Sequence, residues 1–126
     1  MNVYQLVLSE GYTPKQLDIH RHLICFGSKS WKPEWFAEMD MVATVDTTDL
    51  EEAFAIMNRW TELDEAKVTR LAPLHSLSVG DILETDDGKF YLVDDWGFEE
   101  IEVITDMLAA HWMRLRNDHP AIECNV

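Results

Sequence analysis

Positive charge is what this chain has least of. Ten lysines and arginines stand against 24 aspartates and glutamates, a formal net charge of −14 over 126 residues. A field of that sign repels nucleic acid and anionic membrane and steers the chain toward basic surfaces. Direct nucleic-acid binding and membrane association are therefore not expected. Cysteine is nearly absent as well. Cys25 and Cys124 alone build no disulfide framework, and two free, mainly structural thiols fit a reducing compartment. No apolar run approaches the roughly 18 residues that a membrane helix needs. The opening MNVYQLVLSEGY lacks a basic n-region and reaches Glu10 too early for a signal peptide. The expected location is cytoplasmic.

Glycine and proline are sparse, and no repeat, low-complexity tract or linker divides the chain. The expectation is one domain over 1–126, long enough to bury a core without metals or disulfides. The usual catalytic signatures are missing too: no G-x-S-x-G, no phosphate-binding loop, no H-E-x-x-H and no G-x-G-x-x-G. No catalytic residue, metal or cofactor is expected. A binding protein is the leading class, with a small enzyme as the remote alternative.

What is present is acid, unevenly placed. Residues 37–66 carry nine acids against one base, and 81–106 carry ten against Lys89 alone. A solvated face that keeps the chain soluble is the plain reading of such a surplus. Along the chain, 3–9 reads as an interior strand with apolar side chains on both faces. Residues 15–27 read as a helical turn followed by a short strand at 23–26. His20, His22 and Cys25 invite a metal reading, since i and i+2 share a strand face. The spacing matches no zinc pattern, and a surface histidine pair beside a buried cysteine is the better reading. Trp31, Trp35 and Phe36 around Pro33 read as anchors of a loop on the core, or as a stacking platform for a ligand.

Residues 40–46 form the next expected strand. A helix follows, opened by Thr48 and Glu51 as a capping box, with Leu50, Ala53, Phe54, Met57 and Trp60 as an apolar stripe. Helical character is expected to run on until Ala72-Pro73 stops it. Then come strands at 81–85, 89–94 and 98–103, joined by Asp86-Asp87-Gly88 and Asp95-Trp96-Gly97 turns. Either 81–85 or 98–103 is expected at a sheet edge. A last helix starts at Thr105 or Asp106 and carries His111, Arg114 and Arg116. The fold class is α+β: a mainly antiparallel sheet with a C-terminal three-stranded meander and helices packed on one face.

Ser76-Leu77-Ser78-Val79-Gly80-Asp81-Ile82, Phe90-Tyr91-Leu92-Val93-Asp94 and Gly97-Phe98-Glu99 together resemble the closing part of the YodL-like domain. Val3-Tyr4-Gln5-Leu6 and Leu50-Glu51-Glu52-Ala53-Phe54 resemble its opening strand and central helix. The resemblance covers 1–104 and leaves 105–126 as an added helix and tail. It implies a mobile-element origin, since such proteins sit on conjugative elements, plasmids and phages, often among anti-restriction genes. It implies no catalytic activity and no functional residue.

Two functional expectations follow, of different kinds. Same-face residues on a strand lie about 6.6 Å apart, near the spacing of roughly 6–7 Å between phosphates along one DNA strand. Glu100 and Glu102 with Glu84 and Asp86 on a neighbouring strand are thus expected to present a phosphate-like row, extended by Glu51 and Glu52. Asp87, Asp94, Asp95 and Glu99 complete the acidic surface. The partner is then the basic nucleic-acid-binding surface of a host defence nuclease, of restriction or CRISPR type, blocked sterically or by DNA mimicry. The other expectation is an accessory interaction module of a mobile element, binding through an apolar Trp31/Trp35/Trp96 surface. A divalent-cation site from Asp94 and Asp95 with Asp86 or Glu84 has no supporting spacing.

Overall fold

Val3 and Gln5, two residues apart in the first strand, have no exposed surface, and the strand between them sits at the centre of the molecule. The structure, a computed structural model, describes residues 1–6 and 13–105. Among these, six strands make one antiparallel sheet: β1 (Asn2–Gln5), β2 (Asp40–Val45), β3 (Val68–Arg70), β4 (Ile82–Glu84), β5 (Phe90–Val93) and β6 (Phe98–Ile101). Their order is β3-β2-β1-β4-β5-β6. Asn2 pairs with Thr44 on one side and Glu84 on the other, so β1 is flanked from both directions. The register with β2 shifts between Val3 and Tyr4, which pair with Ala43 and Met41. The extra residue, Val42, turns its carbonyl to the amides of Leu71 and Ala72 as the chain leaves β3.

The fold is α+β with an antiparallel sheet, and the meander β4-β5-β6 closes as expected. The helices, however, cover both faces. Val3, Ala43, Leu83 and Val93 pack with Ala53, Ile56 and Met57 of α2 (Leu50–Arg59). Tyr4, Ile82, Phe90 and Leu92 pack with Ile19 and Leu23 of α1 (Pro14–Phe26) and with Trp35. The reason lies in consecutive pairs. Ile82-Leu83 and Leu92-Val93 are all apolar and buried, and alternate side chains on a strand point to opposite faces.

Residues 14–26 form one continuous helix, in place of the expected turn and strand. Thr13 and Gln16 close a capping box at 3.2 Å each way, and Pro14 fits the first turn. Cys25 is exposed rather than buried. On a helix, His20 and His22 stand roughly 200° apart, so the shared strand face does not exist. The cap of α2 is Asp49, one residue past the expected Thr48, because its carboxylate reaches the amides of Glu51 and Glu52 at 2.9 and 3.4 Å. Trp60 then adopts a left-handed conformation, φ 54°, and ends the helix. A short α3 (Glu62–Glu65) and strand β3 follow where the helix was expected to continue. Strand 81–85 is interior; β6 is the edge on that side. The expected strand beyond Leu6, the last helix with His111, Arg114 and Arg116, and Cys124 lie outside the described residues.

Two cores on opposite faces of one sheet make a direct prediction. Leu23→Ala and Met57→Ala each remove a fully buried side chain, for about 2–5 kcal/mol apiece. Without shared neighbours the double variant should be additive within about 0.5 kcal/mol in urea unfolding. A single one-sided core would give a clearly non-additive pair.

Candidate functional site

Sorting the acids by what they touch separates structural from available charge. Glu84 accepts from the Tyr4 hydroxyl at 2.7 Å and the Asn2 amide at 2.9 Å. Burial, then that carboxylate, pushes the Tyr4 phenol well above its ordinary range. Asp86 lies 3.6 Å from the Met1 amino group, and Asp87 takes the Thr85 hydroxyl within its turn, which holds its carboxyl below the usual range. Glu52 is held by Lys67 at 3.1 Å and by Thr47, and its carboxyl is lowered chiefly by the lysine. Glu100 lies 4.0 Å from Lys89. Among the described residues, Glu51, Asp95, Glu99 and Glu102 have no such side-chain partner.

The expected phosphate-like row does not form. Glu84 pairs with Phe90, whose ring is on the α1 face, whereas Glu100 pairs with Tyr91, opposite Leu83 on the α2 face. β5 also separates β4 from β6, so the two are not neighbouring strands. For the cation site set aside above, Asp94 and Asp95 with Asp86 or Glu84, no group of three metal-ligating side chains converges among the described residues. The three tryptophans do not make one surface either. Trp35 is buried and packs edge-on against Trp31, whose indole N–H donates to the Glu102 carbonyl at 2.7 Å. Both are anchors. Trp96, in the turn at the other end of β6, is 96% exposed.

What the fold does bring together is a groove of about 380 Å³ between the first turns of α2 and the β5–β6 turn. Glu51, Phe54, Val93, Asp94, Asp95, Gly97 and Phe98 line it. Its position follows from local chemistry. Asp94 follows β5, and its amide donates to the Gly97 carbonyl at 3.0 Å to close the turn. Gly97 has φ +80°, a conformation that L side chains rarely adopt. Trp96, between them, is pushed into solvent. One Asp94 oxygen accepts the Ser28 hydroxyl at 2.6 Å and the other the Asp95 amide at 2.9 Å. The Ser28 bond is the main reason its carboxyl sits below the usual range. The close approach needs Gly27, where a Cβ would run into the Asp94 carboxylate. Asp94 is therefore a latch between the chain after α1 and the sheet, as well as part of the groove lining. Phe54 and Phe98 meet edge-on at 6.4 Å, forming an apolar wall. Glu51 and Asp95 line the same groove, with no side-chain partner among the described residues.

A second cluster went unrecognised in the sequence. Gln5, fully buried, accepts from the His75 amide at 3.1 Å and donates at 3.0 Å to both the His75 carbonyl and Asp81. Asp81 also accepts the Ser78 amide at 2.9 Å. The His75 ring Nδ1 donates to the Ser76 carbonyl at 2.7 Å, since both Gln5 amide protons are already committed. His75 thus lies 3.9 Å from Asp81 without being hydrogen-bonded to it. The adjoining cavity, about 20 Å³, has room for about one water. Its geometry ties chain segments together and accommodates no substrate. The signal was present in Gln5, a polar residue between Tyr4 and Leu6, but its partners lie 70 and 76 residues away.

Burial raises the Asp81 carboxyl to about 7 from 3.8, against the opposing pull of its donors and His75. A group raised on folding adds stability that is complete below about 3.8 and is lost as pH rises toward about 7. Asp81→Asn keeps an acceptor for Ser78 and removes the titration. The stability of the wild type relative to this variant should therefore fall between pH 4 and pH 7.5 by a few kcal/mol, at most about 4. Urea unfolding of both proteins across that range checks it; a flat difference refutes the assignment.

No family model matches the chain, and no curated protein or solved structure is significantly similar to it.

Proposed function

We propose that the protein binds a basic protein surface through the acidic groove, without catalytic turnover. The observation that carries this reading is that Glu51 and Asp95 line one groove with the apolar Phe54/Phe98 pair, while six of the other acids in the expected surface have partners within the fold. Carboxylates with no side-chain partner among the described residues, beside exposed aromatic surface, suit a polar-rimmed protein contact. The net charge of −14 favours a basic partner and a fast, salt-sensitive encounter.

The partner class we propose is the nucleic-acid-binding surface of a host defence nuclease complex, of restriction or CRISPR type. The resemblance to YodL-like proteins of mobile elements supports that setting. Steric occupation of the basic surface fits the geometry better than DNA mimicry, because Glu84 and Glu100 fall on opposite sheet faces. Trp96 supports the second reading, an accessory module that binds another element-encoded protein mainly by apolar contact.

Capture from a host lysate at low and high salt, with competing DNA, separates these readings. The first expects a basic nuclease component retained at low salt, released by high salt or DNA, and lost with Glu51→Lys/Asp95→Lys. Retention unchanged in that variant would refute the groove. Salt-insensitive retention lost with Trp96→Ala would favour the accessory module.

A further inference from the structure

We infer that the groove between α2 and the β5–β6 turn is a pocket for one arginine side chain, presented by a basic protein segment. This inference rests on the binding reading above and names what fills the site. Size sets the first limit. At about 380 Å³ the groove is near the lower end of ligand pockets, which span about 300–1,000 Å³. A single turn of helix, about 10–12 Å across and about 5.4 Å long, outgrows it. One extended side chain fits.

Charge sets the sign. Glu51, Asp94 and Asp95 line the groove and no lysine or arginine does. The amides at the start of α2, which would otherwise attract an anion, are already capped by Asp49. Phosphate and carboxylate are thereby disfavoured. A divalent cation needs converging oxygen ligands, and no triad of acids converges among the described residues. Asp94 is moreover committed to Ser28 and to the Asp95 amide. Two separated carboxylates, those of Glu51 and Asp95, remain for an organic cation.

The walls then discriminate between the two cationic side chains. Phe54 is 39% exposed, and its ring meets Phe98 edge-on at 6.4 Å. Guanidinium is planar, weakly hydrated and stacks on aromatic faces, and its five N–H donors can reach two separate acceptors. Ammonium is a compact, strongly hydrated charge that loses more water on entering an apolar-walled groove. The guanidinium plane rests on the Phe54/Phe98 wall, its N–H groups donate to Glu51 and Asp95, and the fixed charge of Asp94 adds to the field.

The probes are three blocked peptides, identical except for a central arginine, lysine or citrulline, titrated into the whole protein and followed by amide chemical shifts. The arginine peptide should move Glu51, Phe54, Asp95, Trp96 and Gly97, and bind at least about threefold tighter than the lysine peptide. Citrulline, neutral and of the same shape, should move none of them. Glu51→Gln/Asp95→Asn should lose the binding, while Glu99→Gln/Glu102→Gln, two exposed acids outside the groove, should keep it. Phe54→Ala should keep weak binding and lose the arginine preference. Equal affinity for the lysine peptide overturns the inference, as do shifts spread over the whole acidic surface. Should a nuclease component be captured through Glu51 and Asp95 while the arginine peptide leaves the groove unmoved, the pocket fails and the binding reading stands. If the peptide seats in the groove and no host protein is retained, the pocket stands and the host-target reading fails.

Discussion

A carboxamide with no access to water must find all its hydrogen bonds inside the protein, or cost the fold about 1–3 kcal/mol for each group left unpaired. Gln5 meets that demand by binding the backbone of His75 on both sides and the carboxylate of Asp81. Three distant stretches are thereby held in one place: the central strand, the chain after β3, and the entry to β4. The remaining architecture follows from this anchorage. With β4 fixed beside β1, β5 and β6 are laid down by tight turns, and the groove appears where β5 ends opposite α2. The latch between Asp94 and Ser28 then ties the exit of β5, beside the entry to β4, to the chain after α1. Polar bonds on neighbouring residues, at the entry to β4 and the exit from β5, set the position of the meander, and apolar burial on its two faces supplies most of the cohesion.

Local grammar was legible and long-range geometry was not. Asp-Gly and Trp-Gly turns announce the meander, and the apolar stripe from Leu50 to Met57 announces α2, because both signals lie within a few residues of each other. Leu23-Ile24-Cys25-Phe26 misleads: a short apolar run has no period of its own, and Thr13, Pro14 and Gln16, which do mark a helix start, lie ten residues upstream. β3 gave no strand signal because its residues are half-buried or exposed at a sheet edge. The acidic site was half readable. Glu51, Asp94 and Asp95, three of the acids read as a surface, line one groove, but which acids share a face depends on register across an intervening strand. One residue of parity separates Glu84 from the side that Glu100 occupies. Gln5, His75 and Asp81 were invisible as a set because no spacing rule connects residues on three elements.

Charge in this molecule has two separate uses. Asp64, buried, takes Arg59 at 2.8 Å and caps α3 through Thr61, and the arginine is the chief reason its carboxyl is held far below the ordinary range. Asp94, Glu84 and Asp81 likewise cross-link segments. Acids of this kind act at short range and would be conserved in effect only by another hydrogen-bond acceptor. Glu99 and Glu100 on the edge strand act differently: they place like charge on a ladder whose outer side has no partner among the described strands, which discourages edge-to-edge pairing between copies. Net charge and structural charge therefore need to be varied separately when surface and fold effects are to be told apart.

The central position of β1 has a consequence for synthesis. Its residues are made before those of both its partners: one neighbour is about 40 residues downstream and the other about 80, the Asn2–Glu84 contact spanning 82 positions. Contacts so far apart in sequence carry a large loop-closure cost and slow folding. At about 5–20 residues per second the ribosome keeps the first strand waiting several seconds for its second partner. During that interval Val3 and Leu6, later covered, are apolar surface in an incomplete sheet. The surplus of acids in 37–66, which emerges before β4, keeps the nascent chain strongly negative and apart from its copies while the central strand is still open on one side.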